Sequence, residues 1–131
     1  MTKTNTKTRA TNFRLDADMV DNIKRYGYSL GTFANVATMR YLKLEQYDRW
    51  TAADKWKANW AAPTYGVYGN RRAVNIRMRG DLLDYIMMRG YNRTRVIENA
   101  IKRLLLDIDA GNIDDETQEL LTKGHRGHRY E

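Results

Sequence analysis

The residues that could do chemistry in this chain of 131 are arginine, lysine and asparagine, and their chemistry is recognition rather than bond-making. Lys and Arg number 23 against 16 Asp and Glu, a formal net charge of +7. Such a balance in a small chain points to a polyanionic partner. There is no cysteine, which excludes disulfides, Cys-ligated zinc, iron–sulfur clusters and thiol catalysis. The two histidines, His125 and His128, sit on a Gly-Arg tail, and Ser29 is the single serine. No Walker loop and no dinucleotide-type glycine fingerprint occurs. No nucleophile has a base near it in sequence, so the expectation is a non-enzymatic protein with no cofactor and no metal.

The charge is uneven. Residues 1–106 hold 20 basic and 9 acidic groups, whereas residues 107–122 hold 6 acidic groups and no basic one. The remaining nine residues hold 3 basic groups and 1 acidic. The polar start, MTKTNTKTRA, lacks the apolar centre of a secretory signal, and the apolar runs are too short for a spanning helix. The expected setting is cytoplasmic or nucleoid-associated, away from membranes.

The elements that position the basic groups are stated twice. Residues 12–43 and 75–106 align without a gap at an offset of 63, with ten of 32 positions identical. The identities include Asn12/Asn75, Arg14/Arg77, Asp21/Asp84, Gly27/Gly90 and Tyr28/Tyr91. Because they fall on polar as well as apolar positions, amphipathic periodicity alone does not explain them. Each copy opens on period-2 alternation, Asn12–Leu15 and Val74–Met78, the mark of a strand with one apolar face. Phe13 and Leu15 point one way and Asn12 and Arg14 the other; Ile76 and Met78 oppose Asn75 and Arg77 in the same manner.

A short helix follows each strand. Asp16 is placed to cap the first, and Met19, Val20 and Ile23 match Leu82, Leu83 and Ile86 as apolar stripes. Gly27 and Gly90 stop these helices, and Ser29 and Asn92 are N-caps for longer ones. The domain plan is a basic tail over 1–11, a first copy over 12–44, a connector over 45–73, a second copy over 74–109, and an acidic helix with a basic tail over 110–131. One copy alone is too small for a sufficient core and leaves a strand unpaired. Pairing the two strands answers both problems.

This grammar resembles the ribbon-helix-helix family, the MetJ/Arc-type DNA-binding proteins, over roughly half the chain in two blocks. Most members gain the second copy by dimerising; two copies in one chain resemble the family's tandem members, known among conjugation proteins. The resemblance implies a mostly α fold with a short two-stranded antiparallel ribbon, a tandem pseudo-dimer with extra helices. It implies double-stranded DNA as partner, with the ribbon in the major groove. Asn12, Arg14, Asn75 and Arg77 then contact bases: Arg can donate twice to guanine and Asn can pair with adenine. The family also anchors phosphates at the start of its second helix, where backbone N–H groups and the helix dipole attract anions. Here that start is Ser29 to Thr32 in one copy and Asn92, Arg93, Thr94 and Arg95 in the other.

Copy two carries Arg93 and Arg95 where copy one has Leu30 and Thr32, so a stronger grip by copy two and an imperfect palindrome are expected. Arg71, Arg72 and Arg79 are further phosphate candidates. The tails, with Lys3, Lys7 and Arg9 at one end and His125 and His128 at the other, could follow the DNA backbone.

The connector has structure of its own. Thr51 and Asp54 form a capping-box pattern, and Trp56 and Trp60 are four apart, on one face of the helix expected there, before Pro63. Trp50, Trp56 and Trp60 are candidate protein contacts, as is the acidic helix expected over Asn112–Lys123 and ended by Gly124. Three functions therefore stand at this level: a sequence-specific DNA-binding protein, such as a small repressor or a mobile-element or phage accessory protein; a partner-binding inhibitor or antitoxin-like protein; and a non-specific nucleic-acid coat. The assembly is a monomeric pseudo-dimer or a higher assembly on DNA.

Overall fold

The computed structural model describes residues 7–59 and 70–125, the last two by backbone only. The order is β1 (Thr8–Asp16), α1 (Ala17–Arg25), α2 (Leu30–Gln46), α3 (Ala52–Ala58), β2 (Arg71–Arg79), α4 (Gly80–Met88), α5 (Arg93–Asp109) and α6 (Asp115–His125). The fold is mostly helical with one two-stranded antiparallel sheet, β1 against β2. β1, α1 and α2 recur as β2, α4 and α5 with every boundary displaced by 63. No described helix is long and apolar enough to cross a membrane.

The strands are longer than their alternation predicts. Thr8–Thr11 belong to β1 rather than to the expected tail, and Arg71–Ala73 to β2 rather than to the connector. The backbone explains this: Thr8, Arg9 and Ala10 lie opposite Arg79, Met78 and Arg77, and the buried Thr11 opposite Ile76. Polar side chains hide the extended run in the sequence, but the ladder gives its N–H and C=O groups partners. The register centres on Asn12 opposite Asn75, with Arg14 opposite Ala73 and Ala10 opposite Arg77. Exchanging the strands maps this register onto itself.

Phe13, Leu15, Ile76 and Met78 point down into one core with Met19, Val20, Ile23, Leu82, Leu83 and Ile86. Phe33, Val36, Ala37 and Tyr41 of α2 and Val96, Ile97, Ala100, Ile101 and Leu104 of α5 complete it. Burial at about 25 cal/mol per Å² makes this shared core what holds a two-stranded ribbon that could not stand alone. The helix ends follow their cap chemistry. Ser29 Oγ accepts from Thr32 N at 3.2 Å, Asn92 Oδ1 from Arg95 N at 3.2 Å, and Asp16 Oδ1 from Asp18 N at 2.9 Å. Gly27 and Gly90, at φ 84° and 76°, take the left-handed turn between the helices.

The copies are laced together crosswise. Arg9 on β1 pairs with Asp84 on α4 at 2.7 Å, and Arg72 on β2 with Asp21 on α1 at 2.8 Å. Gly80 N donates to Lys7 O and Ala17 N to Asn70 O. Asn35 on α2 accepts from Arg79 N, and Glu98 on α5 accepts from Asp16 N. In each of these three pairs of contacts the partners are related by the same offset of 63.

The contacts of Glu45 depart from this symmetry. Glu45, its side chain 4% exposed, accepts from Tyr85 at 2.5 Å and Tyr91 at 2.6 Å and is paired with Arg89 at 2.6 Å. Burial acts to raise this carboxyl, but the bonds from Tyr85, Tyr91 and Arg89 together hold it below its ordinary value.

The extra helices differ from expectation. α3 has the capping box between Thr51 and Asp54, but it stops at Ala58. Asn59 turns extended (ψ 133°) and bridges Tyr91. Trp60 and Pro63 lie outside the described residues, as do Lys3 and His128. The last helix begins at Asp115, not Asn112, because Gly111 at φ 72° closes α5 and Asn112 N turns back to Asp107 O. It continues through Gly124 to His125, because a glycine in a helix weakens it without obliging it to stop. α6 packs against α2, with Leu121 fully buried.

Candidate nucleic-acid interface

Alternation along β1 and β2 turns Ala10, Asn12, Arg14, Ala73, Asn75 and Arg77 away from the core, and all six are exposed. At the centre Asn75 Nδ2 donates to Asn12 Oδ1 at 2.8 Å, which aligns the two amides and leaves each with further donor or acceptor capacity. Arg14 and Arg77 stand diagonally about this pair, each opposite an alanine that leaves its guanidinium room. Arg77 Nε donates to Thr8 Oγ1 at 3.1 Å; the Arg14 guanidinium has no partner among the described residues. The structure thus brings all four proposed base-contact residues onto one solvent-facing strip with two-fold register.

The other arginines serve structure first. Arg71 pairs with Glu98 at 3.1 Å and donates to Arg14 O at 2.8 Å. Arg72 is held by Asp21, and its hydrogen bond keeps that carboxyl below its ordinary value despite an opposing effect of burial. Arg79 forks onto Asp81 at 2.7 Å. Each guanidinium therefore has a carboxylate partner to share with, or exchange for, an outside anion.

The two helix starts differ. At α2, Ser29 is exposed, Thr32 is buried, and Leu30 and Gly31 bring no charge. At α5, Arg93 is exposed and lies over the Phe13 ring at 5.8 Å, which places it against the underside of β1. Asn92, Thr94 and Arg95 are partly buried there. Trp50 cannot serve as a protein contact: it is 5% exposed, donates Nε1–H to Tyr41 O at 2.9 Å, and stacks near Tyr41 and Tyr91. Its indole has both an apolar niche and a partner inside the fold. Trp56 is half exposed.

Nothing in the sequence marks the lacing residues Asn35 and Glu98 or the buried Glu45, and Arg9 reads there as part of the basic tail. Arg9 and Arg72, and Ala10 and Ala73, are identities at the same offset, just before the aligned block. Extending the block by three residues takes in both pairs. A scan against protein-family models, a search of curated proteins and a search of solved structures each find no match.

Proposed function

We propose that this chain is a sequence-specific double-stranded DNA-binding protein, a tandem ribbon-helix-helix pseudo-dimer that lays β1 and β2 in the major groove. One observation carries the reading: the solvent face of the ribbon repeats Ala-x-Asn-x-Arg on both strands about a central Asn12–Asn75 pair. A two-stranded ribbon fits the groove, where every base pair shows a distinct donor and acceptor pattern. Arg14 and Arg77 supply bidentate donors for guanine, and each good pair discriminates by about 1–3 kcal/mol. The matching register favours an inverted repeat at the centre of the site. Basic groups at the start of α5 add contacts to phosphates, which position the ribbon without reading sequence. Binding of this kind acts by occupancy, as in a small repressor or an accessory protein of a mobile element or phage.

Selection from a random duplex pool at physiological salt tests the reading. The expected result is enrichment of an inverted repeat. Retention without enrichment would make the chain a non-specific coat, and no retention would leave the partner-binding alternative.

A further inference from the structure

We propose that the connector supplies a second, one-sided phosphate-binding site, centred on Lys57 beside the start of α5, that extends the DNA contact on the copy-two flank alone. This rests on the DNA-binding reading above. The end of α3 is fastened to α5 by its backbone. Asn92 N donates to Ala58 O at 2.9 Å, Asn59 bridges Tyr91, and Arg95 Nη1 donates to Lys57 O at 3.4 Å. Ala58 is fully buried in this joint. The fastening holds the backbone of the exposed Lys57 against Arg95, two residues from Arg93. Arg93 in turn lies against Phe13, the neighbour of Arg14 on the ribbon. Cations therefore run from the ribbon outward to the connector: Arg14, Arg93, Arg95, Lys57.

The copy-one flank has no such run of cations at the equivalent positions. The positions equivalent to Arg93 and Arg95 are Leu30 and the buried Thr32. The helix that reaches this end is α6, whose Gln118 lies 3.4 Å from the Tyr28 hydroxyl, just before Ser29. The lysine of α6, Lys123, is paired with Glu119 at 3.3 Å. At physiological salt charges act over about 8 Å, so the exposed Lys57 on the copy-two flank attracts a phosphate more than the paired Lys123 does here. The same duplicated scaffold is thereby given a basic arm on the copy-two side alone.

Hydroxyl-radical footprinting of the full chain on the duplex enriched from the random pool tests this, with Lys57→Ala and Lys57→Glu as variants. The wild-type chain should protect the backbone further on one flank than on the other. Lys57→Glu should remove the longer protection, weaken binding to all duplexes alike by about three- to tenfold, and lower the magnitude of the salt slope by about 1. Its ranking of base sequences should not change. Equal protection on both flanks, or unchanged affinity and footprint in Lys57→Glu, would overturn the one-sided site and leave the ribbon reading intact. A pool that yields no enriched sequence would instead take down the DNA reading beneath it, which separates the two failures.

Discussion

On the ribbon, Asn12 faces Asn75 and the diagonal arginines are the same residue in both copies. In the helical layer beneath, the equivalent positions 45 and 108 hold Glu and Ile. Glu45 is buried and takes bonds from Tyr85, Tyr91 and Arg89, whereas Ile108 is a partly buried hydrophobe against the core. The partners of Glu45 have counterparts in Asn22, Tyr28 and Tyr26, a set with no cation. A surface that presents one chemistry to two places stays duplicated. A core position asks only to be filled, and it can be filled by volume or by a satisfied ion pair. The second solution needs several partners at once, so it survives in one copy and not in the other.

The largest expected effect tests the buried side of this contrast. Glu45→Ala should lower stability in urea by about 3 kcal/mol, the low end for breaking a buried pair, because Arg89 keeps about half its side chain in water. Ile108→Val, at the equivalent place, should lose about 0.5 kcal/mol. Equal losses would mean that the network contributes no more than packing. The pH dependence follows. The folded Glu45 carboxyl lies below its ordinary value of 4.5, so the unfolded chain takes up this proton first as acid is added. Its stabilising contribution is complete above that ordinary value and is lost as pH falls through the lowered one. Glu45→Gln should flatten the stability curve in that window, measured by urea midpoints at each pH.

The ribbon side comes next. Arg14→Ala and Arg77→Ala should each relax base preference by about 1–3 kcal/mol, at mirror-related positions of the selected site. Losses of unlike size at the two positions would show that the register symmetry does not carry over to the DNA. The cap pair is smaller still: Ser29→Ala and Asn92→Ala should each reduce stability by about 1 kcal/mol in thermal melts.

How much of this is legible beforehand follows the range of each interaction. Gly27, Ser29, Asn92 and Thr51–Asp54 act within one turn of chain, and the sequence displays them. The stripes Met19-Val20-Ile23 and Leu82-Leu83-Ile86 are equally local and lie where periodicity puts them. Thr8–Thr11 and Arg71–Ala73 become strand only because a partner lies opposite, so no run of their own side chains reveals it. Glu45 reads as a surface charge on a helix until Tyr85, Arg89 and Tyr91 are folded against it from some 40 residues away. The exposed strip of Asn12, Arg14, Asn75 and Arg77 is legible because duplication marks it twice. The fastening of α3 to α5 was not, since backbone N–H and C=O groups carry no sequence signal.

The smallest expected effect again compares the copies. Asp48 follows α2 at φ 56°, and its equivalent after α5 is Gly111 at φ 72°. Both close their helices in the left-handed region, which glycine enters freely and other residues only with strain. Aspartate tolerates this region better than most, so the strain released by Asp48→Gly is modest. Two effects oppose it: glycine's larger freedom in the unfolded chain, and loss of the Lys55–Asp48 pair, which at 3.6 Å and largely in solvent contributes little. The net expectation is a gain of about 0.5 kcal/mol for Asp48→Gly and a loss of similar size for Gly111→Asp, read as opposite shifts of the thermal midpoint. Shifts of the same sign would mean that side-chain contacts, not backbone strain, govern these two helix ends.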